Sequence, residues 1–245
     1  NKQNFHNLSY GVEGIYNTLT STAERRNVNT GAVTPQSTRY PDGDNNTTSI
    51  AAYIQDNWRI NNMTSSTFGL RYNYYGLNAT FIDTTFYEFA KLYPDGVDQS
   101  NGALAGNLGI TFLPKDDWRI YLNGSTGFRS PDVDDLAKIF ETVPRTGAAY
   151  GTVIIPNPDL GPEYTYGGEL GVSKIFNGNI KAEAIGYYTY INDAIVTAPT
   201  TYNGSSFIIY DGDTANVISN QNAGSGYVWG TTVNLNADVT NYLSL

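Results

Sequence analysis

Apolar and polar positions alternate along this chain with a period of two, in stretches short enough for single β-strands. In 68–74, Phe68, Leu70, Tyr72 and Tyr74 share one face, and Gly69, Arg71 and Asn73 share the other. In 118–123, Trp118, Ile120 and Leu122 oppose Arg119, Tyr121 and Asn123. In 227–235, Tyr227, Trp229, Val233 and Leu235 lie against Thr232 and Asn234. This alternation places strands at about 8–17, 49–60, 65–76, 102–113, 118–127, 164–175, 179–191 and 226–239.

The connections between these strands alternate in length. Three are short: Asn61-Asn62-Met63-Thr64, Pro114-Lys115-Asp116-Asp117 and Asn177-Gly178. Asn-Gly is a strong hairpin signal, because both residues tolerate the positive φ of a type I′ turn. The other connections are long, including 77–101, 128–162 and 192–224. Structureless loops of that length are uncommon inside a compact soluble domain. Short turns on one rim and long loops on the other describe an outer-membrane barrel. The predicted fold is therefore all-β: an antiparallel up-and-down meander of about eight strands, an open part of a larger transmembrane β-barrel. The apolar face meets lipid and the polar face a wet lumen. Tyr16, Trp58, Tyr74, Tyr75, Trp118, Tyr188 and Tyr190 lie near strand ends, where aromatic girdles belong.

Composition agrees. Among 245 residues, 25 are Gly and 20 Tyr, Cys is absent and charged residues are 15%. Tyr with β-branched residues favours strands, and Gly with Asn favours turns. Absence of Cys excludes a disulfide scaffold and thiolate metal sites. Mean hydropathy is −0.35. No run reaches the ~18 apolar residues of a membrane-crossing helix, a requirement that barrel strands do not share. No basic-apolar leader opens the chain and it stops within a strand-like segment, so residues 1–245 are expected to be one partial barrel domain, with a plug domain and terminal strands absent.

Few residues invite chemistry. One His is present, His6, with no evident partner in the sequence. P-loop, dinucleotide and zinc spacings are lacking, so an enzyme is not expected and no cofactor or metal is assigned. Asp42/Asp44, Asp132/Asp134/Asp135 and Asp211/Asp213 do not complete a calcium loop and read as turn or cap residues. Residues 131–140 have helical spacing with Asp132 as cap. Tyr-Pro-Asp-Gly at 40–43 and again at 93–96 is turn chemistry. Nearly all of the formal charge of −9 lies in the long loops. That favours neutral or cationic cargo and disfavours nucleic acid. The same loops are rich in aromatics that suit a concave site. Phe86, Tyr87, Tyr150 and Tyr210, with Arg129 and Arg145 as cations, are the candidate ligand contacts, with no catalytic residue among them. Arg129 has a second role open to it, pairing with a lumen carboxylate such as Glu163 or Glu169.

Four stretches carry a resemblance. Gly127-Phe128-Arg129-Ser130-Pro131 is followed by Asn157-Pro158-Asp159-Leu160-Gly161-Pro162-Glu163-Tyr164. The pair resembles the "FRAP" and "NPNL…PE" boxes of TonB-dependent receptors. Ala51-Ala52-Tyr53-Ile54-Gln55-Asp56-Asn57-Trp58-Arg59-Ile60 is similar to that family's "A-Y-x-Q-D-x-W" strand, and Gly168-Glu169-Leu170-Gly171-Val172 to its "YELG" strand. The resemblance implies a Gram-negative outer-membrane receptor with a barrel of about 22 strands, plugged by an N-terminal domain that contacts a TonB-type energy transducer. It implies uptake of a scarce nutrient, with a ferric siderophore as first expectation. Haem or a host iron protein is the second: Tyr10-Gly11-Val12-Glu13-Gly14 and Thr38-Arg39-Tyr40-Pro41-Asp42-Gly43 look like the haemoglobin/transferrin subgroup. The His that ligates haem between the boxes of such receptors is missing here, and Tyr150 is the alternative ligand. Cobalamin or another nutrient ranks third. A soluble β-rich glycan-binding or adhesive module is the alternative from another class. It would bury the apolar strand faces under a second sheet.

Overall fold

The computed structural model describes residues 4–36, 38, 40–82, 95–138, 140–142, 150–210, 213–240 and 243–244. In chain order the strands are β1 (Phe5–Leu19), β2 (Ala23–Arg26), β3 (Val33–Gln36), β4 (Asn45–Arg59), β5 (Thr64–Ala79), β6 (Val97–Phe112), β7 (Trp118–Arg129), β8 (Phe140–Thr142), β9 (Gly151–Ile154), β10 (Glu163–Phe176), β11 (Ile180–Pro199), β12 (Phe207–Tyr210), β13 (Asp213–Thr240) and β14 (Leu243–Ser244). One short helix, α1 (Val133–Leu136), lies between β7 and β8.

The long strands form a meander in the order β1-β4-β5-β6-β7-β10-β11-β13. Every neighbouring pair is antiparallel. The sheet does not return to β1, so it is open. All eight predicted strands are present, and each is longer than its apolar alternation indicated. β11 and β13 exceed it most: beyond the register shift at Ile191–Ala194 they go on pairing with each other, Ala194 to Gly224 through Pro199 to Ile218.

The far edge of β13 is partly covered at Ala215–Ile218. β9 pairs with it in parallel, Ala215 to Gly151 through Ile218 to Ile154. Apolar packing explains the docking: Val153, Ile155, Ala215 and Val217 form a small buried cluster. Burying these side chains offsets the lower regularity of a parallel pair.

Register fixes which side chains share a face. Phe68, Leu70, Tyr72 and Tyr74 of β5 align with Asp56, Ile54, Ala52 and Ile50 of β4. They align with Leu108, Gly106, Leu104 and Gly102 of β6 on the other side. Large apolar groups on this face stay exposed, among them Leu122, Leu170, Trp229 and Val233. No second sheet covers them among the described residues. The soluble-module alternative requires that cover. Six of the seven girdle aromatics lie on this apolar face. Tyr75 does not: it shares the polar face with Asn73 and packs on Leu77.

The opposite face carries Arg71 on Glu13 at 2.8 Å, Asn73, Asn107, Glu169 and Glu183. Tyrosines lie flat over glycines here. A Cβ on Gly171 would stand 2.1 Å from the Tyr121 ring, so only glycine admits that ring, and the ring in turn covers the bare backbone.

The turns follow from the residues. Asn177 and Gly178 adopt φ of 51° and 77°. The Asn179 amide donates to the Phe176 carbonyl at 3.2 Å, closing the predicted I′ turn. Of the two Tyr-Pro-Asp-Gly turns, the second lies partly outside the described residues. Both glycines, Gly43 and Gly96, press on Ala79-Thr80, where a Cβ would clash with backbone oxygen.

Candidate functional site: the long-loop rim

The rim opposite the short turns is organised by the two boxes. β7 leaves the sheet at Arg129, and Pro131 introduces α1. Asp132 caps that helix: its carboxylate accepts the Asp135 amide at 3.0 Å, and Asp135 accepts the Asp132 amide at 3.2 Å. Such reciprocal capping satisfies two donors that a helix start leaves free. A helix this short supplies few bonds of its own, so packing must hold it. Val133, Leu136 and Ala137 enter a buried cluster with Leu77, Ala79, Val97 and Leu160. Leu77 and Ala79 belong to the polar face of β5, so α1 lies against the inner wall just below the rim.

Arg129 joins the boxes. Its Nε donates to Glu163 at 2.8 Å and its Nη1 to Asp135 at 2.5 Å. The second Glu163 oxygen accepts the Ile195 amide at 3.0 Å. That amide is turned toward Glu163 by a bulge at Asn192-Asp193, where the β11–β13 register shifts and Asp193 takes φ of 54°. The pairing expected with Glu163 is thus present, while Glu169 lies lower on the wall. The Arg129 side chain is 45% exposed, so each ion pair contributes little alone. The arrangement matters as a cross-link of β7, β10, α1 and β11.

Two asparagines of β13 complete the junction. Asn220 donates to the Asp135 carbonyl at 3.0 Å and accepts from the Thr197 hydroxyl at 2.9 Å. Its own carbonyl accepts Asn157 Nδ2 at 2.7 Å. Asn222 accepts the Gly161 amide at 2.6 Å and donates to the Gly161 and Asp193 carbonyls at 2.9 and 2.8 Å. Gln99 of β6 donates to the Pro158 and Leu160 carbonyls. Irregular backbone in the second box is therefore satisfied by side chains, as buried backbone must be. Sequence reasoning missed Asn220 and Asn222. The available signal was Ser219-Asn220-Gln221-Asn222, residues whose side chains compete for backbone groups.

The candidate ligand contacts are distributed unevenly. Tyr150 is 47% exposed and meets Phe207 edge-on at 5.6 Å. Tyr210 ends β12, paired with Asp213. Phe86, Tyr87 and Arg145 lie outside the described residues. Other loop aromatics pack inward: Tyr40 and Phe81 against the α1 cluster, Tyr202 against the β9 cluster. The acidic groups are engaged as well. Asp134 pairs with Lys138 at 2.8 Å, and Asp42 accepts the Ile82 amide at 3.0 Å. Among the described residues, no His, Asp and Glu cluster could hold a metal ion.

His6 lies at the other end of the strands and does have partners. It faces Asp56 at 2.6 Å and stacks on Trp58 at 5.1 Å. All three are on the apolar face beside the short Asn61–Met63 turn. Cross-strand register brings them together, which a linear reading could not show.

An open antiparallel wall, apolar outside and polar inside, with hairpins at one rim and long loops at the other, defines part of a membrane β-barrel. The family model described as "TonB dependent receptor-like, beta-barrel" matches residues 2–245, and the chain belongs to the TonB-dependent receptor family. Members are transporters of the Gram-negative outer membrane, not enzymes. Solved structures share the fold. The HasR hemophore receptor of Serratia marcescens, in complex with its hemophore HasA and heme, aligns with a TM-score of 0.68 at 18% identity, over 96% of this chain and 37% of that one. The copper transporter OprC gives 0.66 at 16% identity, over 96% and 32%. The siderophore receptor PirA of Acinetobacter baumannii gives 0.65 at 17%, over 96% and 32%. The chain thus spans about a third of these relatives. No curated protein matches the sequence.

Proposed function

We propose that the complete receptor imports a ferric siderophore, with residues 1–245 forming one partial barrel domain. A plug and further strands would be supplied elsewhere in the protein, and a TonB-type transducer would supply energy. The observation that carries this reading is the division of labour between the rims. The hairpin rim has only tight turns. The loop rim has strands standing above the wall, exposed aromatic groups at Tyr150 and Phe207, and most of the negative charge. Long loops anchored on a rigid wall can close over a ligand. Net negative charge favours a neutral or cationic chelate. The one His of this chain is at the wrong end to ligate a haem held by the loops.

A haem or iron-protein cargo is the second reading. It is favoured by the likeness to a hemophore receptor and by the exposed Tyr150 hydroxyl, which could ligate ferric iron. Equilibrium binding of ferric chelates and of haem to the complete receptor distinguishes the two. Under the first reading a ferric chelate binds, and Tyr150→Ala, or alanine at Phe86, Tyr87, Tyr210, Arg129 or Arg145, weakens it in at least one case by about 1–2 kcal/mol. Asn62→Ala and Asp116→Ala, in the hairpin turns, leave it unchanged. Haem binding without chelate binding would favour the second reading. Equal sensitivity of loops and turns would remove the site assignment from both.

A further inference from the structure

The wall has a thin place. The β6–β7 ladder ends at Gly106 and Thr126. Yet β7 continues along β10 to Arg129, and β6 along β5 to Val97. The Thr126 hydroxyl accepts the Gly106 amide at 2.9 Å, a side chain closing the last rung. Small residues adjoin on the lipid face at this point: Gly106 opposite Thr126, and Gly124 opposite Gly168. Phe68, Leu70, Leu104, Leu108 and Tyr166 rise around them, each 40–56% exposed. The result is a groove of about 600 Å³ with no acidic or basic side chain in its lining. A cavity of about 470 Å³ lies on the lumen side, and Gly69, Ala105, Gly106 and Ser125, with Leu70, Asn107 and Thr126, line both.

We propose that this groove is a binding site for one acyl chain of an outer-membrane lipid. It is continuous with the lipid-facing surface of the barrel, so its occupant comes from the bilayer. Its walls are mainly hydrocarbon and aromatic, with Asn107, Ser125 and Thr126 the polar residues among them besides the tyrosines, and it offers no charge to a polar partner. Its floor is open: a Cβ on Gly124 would meet only the Gly167 carbonyl oxygen, at 4.0 Å. Left unfilled, such a depression forfeits dispersion contacts along its whole lining. A flexible chain filling it recovers those contacts. It also backs the wall where the strands separate and mostly small residues divide lumen from lipid. The site is independent of which cargo the loops take.

The test uses the complete receptor in phosphatidylcholine vesicles doped with a phospholipid whose acyl chain bears a diazirine. After illumination, mass spectrometry should show several-fold more adducts on Leu104, Leu108 and Tyr166 than on Val233 and Leu235 of the same face. The filled variant Gly124→Leu should lose that excess, and Ala184→Leu, on the same face elsewhere, should keep it. Uniform labelling of the face in the native receptor overturns the proposal without needing any variant. So does an undiminished excess in a folded filled variant.

Discussion

The wall and the junction at its rim are built by different physics. In the wall, each residue is placed by a two-residue period and a hydrogen-bond ladder, and one rung resembles the next. At the junction no period operates. Arg129, Glu163, Asn157, Asn220 and Asn222 each make particular bonds to backbone or charge, and seven small apolar residues fill the space beneath them. The wall therefore tolerates substitution as long as the alternation is kept. The junction depends on individual side chains.

The largest separation between the two regions should come from the buried cluster. Leu136→Ala or Leu160→Ala, both at 0% exposure, should destabilise the receptor by about 2–5 kcal/mol. The same truncation at Leu122, 58% exposed on the lipid face, should cost far less. Denaturant unfolding in detergent measures both, and equal losses would erase the distinction. Next is Asn220→Ala, which strands the Asp135 carbonyl and the Thr197 hydroxyl and should cost about 1–3 kcal/mol. Asn234→Ala on the wall makes only a long contact to Glu183 at 3.5 Å and should be nearly silent. A smaller effect is expected at the hairpin rim. Gly178→Ala forces a side chain into positive φ and should cost about 1 kcal/mol, while nutrient uptake by the complete receptor stays intact. Smallest of all is His6→Ala. Its Asp56 and Trp58 contacts lie on the lipid face, far from the loops, so uptake should be unchanged. A large loss there would contradict the placement of function at the other rim.

The same contrast explains what could be read from the sequence. The eight long strands were legible because Phe68-Gly69-Leu70-Arg71-Tyr72 and its equivalents alternate, and Asn177-Gly178 announces its turn. The Arg129–Glu163 pair was legible as one of two options, since opposite charges in adjoining boxes seek each other. Asp132 was legible as a cap from its place before Val133. Illegible were Asn220 and Asn222, whose partners are far away in sequence, and the parallel docking of β9, which depends on four apolar residues meeting across two loops. His6 lacked an evident partner because Asp56 reaches it only through cross-strand register. Tyr75 was misplaced among the girdle residues for a related reason: next to Tyr74, it necessarily points to the opposite face.

The central claim is that alternate residues of the wall face lipid and lumen. Residues 1–245 hold no Cys, so single cysteines placed there meet no background from this part of the barrel. Spin labels at 68, 69, 70, 71, 72, 73 and 74 of the complete receptor in bilayers should report accessibility to dissolved oxygen and to a water-soluble nickel chelate. The account predicts oxygen maxima at Phe68, Leu70, Tyr72 and Tyr74 and minima at Gly69, Arg71 and Asn73, with a period of two throughout. Nickel-chelate access equal to oxygen access at Phe68, Leu70 and Tyr72, or no period at all, would contradict it.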